Sequence, residues 1–258
     1  MLSYQHAYHA GNLADVHKHA LLAWMLDYMA RKPKPLTYIE THAGRALYDL
    51  SAPEAAKTGE AAGGIVRAAD RFDADHPYAR TLTAIRAAHG PDAYPGSPAI
   101  AAHLLRPDDR MRLAELHPQE HAALAAALGR RAVVEQRDGV EMARAVCPPD
   151  PARGLLLCDP SWEIKTDYET MPDLFRRLAK RWPVGILVLW YPLLEQAPHA
   201  PMVERLAADH PAALRSEVTF PPVRPGHRMR GSGLFVVNPP WGLVGEAERL
   251  AARFATLA

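Results

Sequence analysis

The sequence has little cysteine and almost no net charge. Cys147 and Cys158 are the only cysteines among 258 residues, which excludes a disulfide framework and a cysteine-rich zinc site. The 30 Lys and Arg residues face 29 Asp and Glu, so the formal net charge is +1. A polybasic nucleic-acid binder carries a large positive excess, and an acidic disordered tail carries a large negative one. Neither class fits this chain.

Long hydrophobic runs are also absent. No stretch reaches the roughly 20 apolar residues that a membrane-spanning helix needs, and residues 1–12 lack the charged and apolar regions of a signal peptide. We therefore expect a cytoplasmic protein with reduced thiols and no membrane partner. Hydrophobic residues make up 48% of the chain, enough for a substantial core in one large domain, with or without an inserted subdomain.

Short apolar segments alternate with segments of helical periodicity along most of the chain. The predicted strands are 36–41, 111–116, 131–136, 154–160, 184–192, 214–220 and 233–239. The predicted helices are 14–30, 97–106, 118–129, 138–146, 170–182 and 200–209. This alternation predicts an α/β domain with a mainly parallel sheet. Because no helix is evident between the last two strands, we expect them to pair antiparallel.

Residues 45–95 break the alternation. They are rich in alanine and polar residues, include Gly63 and Gly64, and show no convincing strand. We interpret them as a helical insertion after the first strand, followed by a helix that Ser97 is suited to cap. Residues 1–44 and 96–258 then form the main domain.

Polar residues and glycines follow the first three main strands. Ligands bind outside the carboxyl ends of strands in open α/β sheets. Gly44 would let the backbone approach a cofactor, Glu115 could accept hydrogen bonds from ribose hydroxyls, and Asp138-Gly139 could accept one from an adenine amine. Each feature alone fits a turn glycine, a solvated carboxylate or a helix cap equally well.

The fourth strand ends in Asp159-Pro160-Ser161-Trp162. The carboxylate and the carbonyl beside a rigid proline can accept hydrogen bonds from an amino group, while the aromatic ring stacks on the base that carries it. Ser161 departs from the usual (D/N)-P-P-(Y/F/W) pattern, which Asn238–Trp241 matches fully. Strand order favours Asp159, because it follows the strand expected near the switch point of the sheet.

Histidines are concentrated near the N terminus, at positions 6, 9, 17 and 19. His17 and His19 are two residues apart and point in different directions on a helix, unlike the i, i+4 pair that binds zinc. We therefore expect a polar segment that lines a site rather than a metal centre. Lys18 could meet a carboxylate or phosphate of a cofactor.

A loop rich in arginine lies between the last two strands, at 222–233. Arg224, Arg228 and Arg230 could hold phosphates or stack on bases. Such a run is more often a solvated loop, but the lack of acidic residues favours a contact with nucleic acid.

Together these residues resemble a known family, the bacterial adenine-N6 methyltransferases of 23S ribosomal RNA called the J-type large-subunit enzymes. The resemblance is densest over residues 1–19, which read M-L-S-Y-x-H-x-x-H-A-G-N-x-A-D-V-x-K-H. It continues through T-H-A-G, Y-P-G-S-P, E-L-H-P, D-G, K-T-D-Y, L-W-Y-P and N-P-P-W. The short motifs are generic to class I methyltransferases, whereas the N-terminal block is specific.

The resemblance implies a class I methyltransferase (Rossmann-like) fold, an α/β seven-stranded mostly parallel sheet with an inserted small helical subdomain. It implies a monomeric enzyme that uses S-adenosyl-L-methionine, without a metal, to methylate N6 of one adenine in 23S rRNA. The implied catalytic residues are Asp159, Pro160 and Trp162. The implied cofactor-binding residues are Lys18, His19, His42, Gly44, Ser97, Glu115, Asp138, Gly139 and Asp159. The resemblance places Tyr4 at the substrate adenine, and we expect His6, Lys165, Arg224, Arg228 and Arg230 to bind the substrate as well.

Two residues depart from the family pattern, and three alternatives to the implied function stay open. Ala46 replaces the second glycine of the family's cofactor turn, and Ser161 replaces a proline beside the catalytic residue. The first alternative is methylation of DNA adenine or of a protein amide, because the same tetrapeptide serves all three acceptors. The second is a non-catalytic module that binds RNA or S-adenosylmethionine. A metal-dependent hydrolase that uses the N-terminal histidines is the third.

Overall fold

A computed structural model describes residues 5–222, 226 and 228–257 of the chain. Its strands are β1 (Thr37–Glu40), β2 (Leu47–Asp49), β3 (Ala93–Pro95), β4 (Arg110–Ala114), β5 (Val133–Glu135), β6 (Gly154–Cys158), β7 (Ile186–Leu194), β8 (Leu214–Thr219) and β9 (Met229–Val237). Its helices are α1 (Leu13–Ala30), α2 (Pro53–Thr58), α3 (Glu60–Gly63), α4 (Ile65–Ala68), α5 (Pro77–His89), α6 (Ser97–Leu104), α7 (Pro118–Leu128), α8 (Gly139–Val146), α9 (Asp167–Arg181), α10 (Ala200–Asp209) and α11 (Leu243–Ala255). In this part of the chain, no helix combines the length and apolar character needed to cross a membrane.

Seven strands form one sheet in the order β5-β4-β1-β6-β7-β9-β8. The first five strands in this order, β5, β4, β1, β6 and β7, are parallel to one another. Strand β9 runs antiparallel to both β7 and β8. This arrangement confirms the predicted mostly parallel sheet with an antiparallel last pair. The chain runs outward from β1 to β4 and β5, then returns to β6 on the other side of β1. The switch point therefore lies between β1 and β6, where ligands bind in such sheets.

The segment 45–95 is mainly helical but contains two short strands. β2 pairs antiparallel with β3, with Leu47 opposite Pro95 and Tyr48 opposite Tyr94. The prediction that this segment holds no strand is therefore wrong. Three residues are too few to show the alternating pattern on which a strand prediction rests. The segment's boundaries as a separate subdomain stay a prediction.

Helix α1 is buried along most of its length. The Asn12 side chain begins the helix by accepting a hydrogen bond from the backbone N–H of Asp15 at 2.8 Å. Apolar and polar side chains are buried together, including those of Lys18 and His19. A helix buried on all sides packs inside the domain rather than on its surface, so α1 can contribute side chains to the interior site.

Helix α11 was not predicted from the sequence. Leu243, Ala247, Leu250 and Phe254 recur at helical spacing and are all buried, so the signal was present in the sequence. Gly242, with a φ of +90°, starts the helix from a left-handed conformation.

The full match to the tetrapeptide pattern, Asn238–Trp241, lies at the edge of the sheet opposite the carboxyl ends of the parallel strands. β9 runs against β7, so Val237 pairs with Leu187 near the start of β7. The Asn238 amide donates to the carbonyl oxygens of Pro183 and Gly185 at 3.0 and 2.8 Å. Asn238 thus ties a turn together at a distance from the switch point.

Candidate active site

A cavity of about 750 Å³ opens at the carboxyl ends of the parallel strands. Its volume lies within the range typical of small-molecule sites. Its walls bring together most of the predicted site residues, namely His6, Lys18, His19, His42, Gly44, Ser97, Glu115, Asp138, Gly139, Asp159, Pro160, Trp162 and Arg228. Most of these residues come from α1 and from the segments that follow β1, β4, β5 and β6, so the sheet topology brings them together, while His6 precedes α1, Ser97 begins α6 and Arg228 precedes β9.

A buried ion pair joins α1 to the end of β6. The Lys18 ammonium lies 2.6 Å from Asp159 Oδ2 and 3.1 Å from Asp15 Oδ1. Burial lowers the pKa of Lys18, but the negative charges of Asp159 and Asp15 outweigh burial, so the pKa lies well above its ordinary value. Lys18 therefore stays protonated and holds Asp159 in place.

Asp15 fixes Lys18, although the sequence analysis did not single it out. Asp15 Oδ2 accepts a hydrogen bond from the Gly11 N–H at 2.9 Å and lies 2.8 Å from His6 Nε2. Burial raises the pKa of Asp15, yet the charges of His6 and Lys18 hold it well below its usual range. The i, i+3 spacing of Asp15 and Lys18 on one helix is the sequence signal that could have identified this residue.

Glu40 is a second buried carboxyl that the sequence analysis did not select. Its Oε2 accepts a hydrogen bond from the Tyr38 hydroxyl at 2.8 Å, and its Oε1 accepts one from the Ser97 hydroxyl at 2.5 Å. Burial raises the pKa of Glu40 to about 8, although both hydrogen bonds act in the opposite direction. Ser97 does not cap α6 as predicted, because its hydroxyl is engaged by Glu40 and the N-cap residue is Gly96.

The turn after β1 is held by Glu115, which follows β4. Glu115 Oε2 accepts a hydrogen bond from the Gly44 N–H at 2.8 Å, and its Oε1 accepts one from the His117 N–H at 2.7 Å. Two backbone donors use only part of the capacity of a carboxylate, which has about four acceptor sites. Glu115 can therefore order the turn and still accept a hydroxyl in the cavity.

The start of α8 approaches the end of β1 very closely. A Cβ on Gly139 would lie 1.8 Å from the carbonyl oxygen of Thr41, so no other residue fits there. Asp138 caps the helix by accepting a hydrogen bond from the Glu141 N–H at 2.8 Å, and it also lines the cavity.

His42, which follows β1, also lines the cavity. Burial lowers the pKa of His42, and its Nδ1 lies 2.7 Å from the Thr41 hydroxyl.

The Asp159–Trp162 loop holds an aromatic ring against the cavity. Trp162 has a φ of +60°, a left-handed conformation that is costly for a residue with a bulky side chain. Its ring packs against Tyr168 with centroids 4.6 Å apart. The Trp162 indole N–H and the Tyr168 hydroxyl are buried without a hydrogen-bond partner in the described part of the chain. Such strain is typical of functional loops, where the surrounding packing maintains it.

The two helical histidines next to Lys18 have separate partners. His17 Nδ1 lies 2.9 Å from the Ser232 hydroxyl, and its Nε2 lies 3.1 Å from the Ser216 hydroxyl. His19 Nδ1 lies 2.9 Å from the Tyr94 hydroxyl. No cluster of three or more potential metal ligands occurs among the described residues.

Comparison with known proteins identifies the family. A family model described as "Ribosomal RNA large subunit methyltransferase D, RlmJ" matches residues 33–256. "Ribosomal RNA large subunit methyltransferase J" of Escherichia coli is 37% identical over 249 residues, which cover 94% of this chain and 89% of that protein. The protein of the same name from Haemophilus influenzae is 37% identical over 250 residues, with the same coverage. The chain belongs to the RlmJ family.

Two solved structures share the fold of this chain. The crystal structure of a Legionella pneumophila protein matches this RlmJ-family chain with a TM-score of 0.86 and 31% sequence identity. The match covers 96% of this chain and 94% of the Legionella chain. The crystal structure titled "SAM Dependent Methyltransferase" from Agrobacterium tumefaciens has a TM-score of 0.51 at 11% identity, with coverages of 86% and 62%. The second likeness concerns the fold alone, and it confirms the predicted methyltransferase architecture.

Some residues predicted for the RlmJ-family site lie elsewhere. Lys165 is exposed and does not line the cavity. Arg230 also lies outside its walls, with its guanidinium 3.4 Å from Glu195 Oε1. Tyr4 and Arg224 fall outside the described residues. The cavity therefore supports the predicted cofactor-binding set more fully than the predicted substrate-binding set.

Proposed function

We propose that this RlmJ-family protein transfers a methyl group from S-adenosyl-L-methionine to N6 of one adenine in 23S rRNA. The observation that carries the proposal is the position of Asp159, Pro160 and Trp162 in the wall of the same cavity as Gly44 and the other predicted cofactor-binding residues. An acceptor for an amine and a stacking ring thus lie beside a site suited to a nucleoside.

The residues present fit S-adenosylmethionine. Gly44 lies in the cavity wall with a φ of +60°, a left-handed conformation that favours glycine, and a Cβ there would lie 2.7 Å from the Tyr48 hydroxyl, so the turn excludes a side chain. Glu115 and Asp138 supply carboxylate acceptors suited to ribose hydroxyls and to an adenine amine. We infer that these residues, with Lys18, His19, His42, Ser97, Gly139 and Asp159, hold the cofactor.

Catalysis then rests on positioning. When bound, S-adenosylmethionine supplies a methyl group whose bond to sulfur breaks as the acceptor nitrogen bonds to its carbon. Asp159 Oδ2 is engaged by Lys18, and in the described part of the chain Oδ1 has no donor. Oδ1 and the Pro160 carbonyl accept hydrogen bonds from the target amine, and Trp162 stacks on its ring. The amine proton leaves to Asp159 or to water, and alignment of the reacting atoms supplies most of the rate enhancement.

The target adenine must leave its stack to enter the cavity. Extrusion of a base costs a few kcal/mol, and less where the base is already unpaired. We therefore infer an adenine in a loop or in a partly single-stranded region. Arg228, exposed at the mouth of the cavity, and His6 contact this RNA. We also propose that the protein acts as a monomer in the cytoplasm and that residues 45–95 form a separate inserted subdomain.

The variant Asp159→Ala tests the catalytic role. Loss of the amine acceptor is expected to reduce methyl transfer at least 100-fold, because orientation of the nucleophile is lost. Calorimetric titration with S-adenosylmethionine should show that cofactor binding is largely kept, because Asp159 is one of nine residues that we infer to hold the cofactor. A variant with nearly wild-type turnover would contradict the role given to Asp159.

The nature of the acceptor is tested separately. Transfer of a labelled methyl group to in vitro transcribed 23S rRNA, duplex DNA and a protein substrate distinguishes the three acceptor classes that the tetrapeptide serves. The proposal requires 23S rRNA to be the preferred acceptor. Binding of S-adenosylmethionine without transfer to any acceptor would indicate a non-catalytic module instead.

A further inference from the structure

The loops at the edge of the sheet opposite the cavity form a strip, which we call the basic row. It comprises residues 31–35, 106–110, 129–132 and 150–153, the segments at or just before the starts of β1, β4, β5 and β6. These four strands are consecutive neighbours and parallel, in the order β5-β4-β1-β6. Their first residues therefore lie side by side at one edge. With strands about 4.8 Å apart, the row extends over about 15 Å.

The basic row concentrates the positive charge of the molecule. It contains eight Arg and Lys residues against three Asp, a net charge of +5, whereas the whole chain has a net charge of +1. The rest of the chain therefore carries a net charge of −4. A local excess of this size gives the edge a strongly positive potential despite the near-neutral total.

Arginines inside the row hold its loops together. Arg106 donates to the carbonyl oxygens of Lys32 and Lys34, both at 2.8 Å. Arg153 also donates to the Lys34 carbonyl, at 2.7 Å, and Arg131 donates to the Arg106 carbonyl at 3.0 Å. These bonds link the loops before β1, β4, β5 and β6, so the row is a fixed surface rather than four independent loops.

Three exposed side chains of the row, which we call its outer side chains, lack acidic partners, whereas the exposed Arg31 and Arg110 are paired with Asp27 and Asp150. Lys32, Lys34 and Arg130 are exposed, and among the described residues no carboxylate lies within 4 Å of them. The single carboxylate buried within the row, that of Asp109, is already bound by Arg106. The outer charges are therefore available to an anionic partner.

We propose that the basic row binds the sugar–phosphate backbone of the RNA substrate, away from the adenine that enters the cavity. Several separated cations along about 15 Å match successive phosphates better than one small anion. The five residues of β6 span about 17 Å between the row and the cavity edge. Only an RNA large enough to pass around the sheet can use both surfaces. This inference rests on the proposed function and adds an interaction surface to it.

The test neutralises the outer side chains together, as Lys32→Gln, Lys34→Gln and Arg130→Gln. The probes are in vitro transcribed 23S rRNA and a short oligoribonucleotide that contains the unmodified target adenine. Affinity for the transcript is measured by fluorescence anisotropy over a series of KCl concentrations without S-adenosylmethionine. The slope of log affinity against log salt should become shallower by about two to three, because each phosphate contact contributes about 0.7–0.9.

Steady-state kinetics complete the test. For the transcript, KM should rise about tenfold while kcat is unchanged, and both constants should stay unchanged for the oligoribonucleotide. The matched control is Arg177→Gln with Ala207→Glu and Ala208→Glu. It lowers the net charge by the same three units at exposed positions on α9 and α10, and it should leave the salt slope unchanged.

Two results would overturn the proposal about the row. One is a wild-type salt slope and transcript KM in the triple Gln variant, and the other is an equal loss of affinity in the control. The proposed function is judged on a different result, since it fails if the wild-type protein transfers no methyl group to the transcript. Methylation by the wild type with no effect of the triple substitution would refute the row alone.

Discussion

Lys18 lies between two carboxylates, and this arrangement determines how Asp159 faces the cavity. Asp15 is anchored by the Gly11 N–H and His6, so it fixes Lys18, and Lys18 fixes one oxygen of Asp159. Removal of one partner from such a buried set costs about 3–5 kcal/mol, because a charge is left without compensation. The ion-paired set of Asp15, Lys18 and Asp159 therefore couples the stability of α1 to the geometry of the Asp159–Trp162 loop.

The sequence was enough to predict which residues line the cavity, but it did not predict most of the contacts that these residues make. Gly44, Glu115, Asp138 and Asp159 could be placed because each follows a strand whose carboxyl end reaches one edge. Asp15 and Glu40 could not be chosen in this way. Their importance comes from burial and from partners distant in sequence, such as Ser97 for Glu40, which no local pattern specifies.

Glu40 is expected to make the stability of the protein depend on pH. Its pKa is raised to about 8 in the folded protein against an ordinary value of 4.5, so the unfolded chain releases the proton at lower pH. Glu40 therefore lowers the free energy of unfolding as pH rises from about 4.5 to 8, by up to about 1.4 kcal/mol per pH unit. Glu40→Gln should lose this part of the pH dependence in urea unfolding between pH 5 and 8.

The control for Glu40 is Glu248→Gln, at an exposed position on α11. It should reproduce the wild-type dependence of unfolding free energy on pH. The same pH dependence in Glu40→Gln as in the wild type would show that Glu40 does not retain its proton in the folded protein.

Helix α1 serves three environments at once. His17 contacts hydroxyls on β8 and β9, Lys18 contacts Asp159 at the cavity, and His19 contacts Tyr94 in the segment after β1. The helix was predicted over 14–30 and is observed over Leu13–Ala30. Its partners could not be predicted, because a helix buried on all sides has no apolar face that shows its orientation.

His17, which links α1 to β8 and β9, is expected to affect the stability of the protein and its dependence on pH. Burial lowers the pKa of His17 to about 3, so the folded protein does not take up the proton that the unfolded chain binds below pH 6.5. His17 therefore reduces stability progressively as pH falls below about 6.5. His17→Ala should lower the free energy of unfolding by about 3 kcal/mol at pH 7.5, because it leaves a cavity, removes the hydrogen-bond partner of the Ser216 hydroxyl and leaves the Ser232 hydroxyl with only the Trp190 indole N–H.

Between pH 6.5 and 4.5, the His17→Ala variant should show a pH dependence of stability weaker by about one proton. Urea denaturation at several pH values measures both effects. His89→Ala, at the exposed end of α5, serves as the control and should change neither quantity by much. An unchanged unfolding free energy at pH 7.5 in His17→Ala would contradict the role of His17 as a link between α1 and the sheet.

At the scale of the whole molecule, topology resolves an ambiguity that local sequence leaves. Asn238–Trp241 matches the methyltransferase tetrapeptide more fully than Asp159–Trp162, yet it lies at the opposite edge because β9 is antiparallel. The alternation of strands and helices was enough to predict this placement. The short strands β2 and β3 escaped prediction, because the pairing of three-residue strands depends on the tertiary fold.

The distribution of charge also becomes visible only at this scale. A net charge of +1 excludes a protein that binds RNA mainly through positive charge spread over its whole surface. It does not reveal that the basic row, at one edge of the sheet, has a net charge of +5. The eight basic residues occur in four separate segments of the sequence, and only the strand order places them together. In our account the molecule binds RNA at two surfaces, the mouth of the cavity and the basic row.

Mass spectrometry of in vitro transcribed 23S rRNA, after incubation with the purified protein and S-adenosylmethionine, tests most directly whether this protein methylates N6 of an adenine. We expect one N6-methyladenosine per RNA molecule with the wild-type protein and none with Asp159→Ala. Nuclease digestion to nucleosides identifies the modification, and mapping of fragments identifies its position. A transcript that gains no N6-methyladenosine, or that gains it equally with Asp159→Ala, would contradict the account.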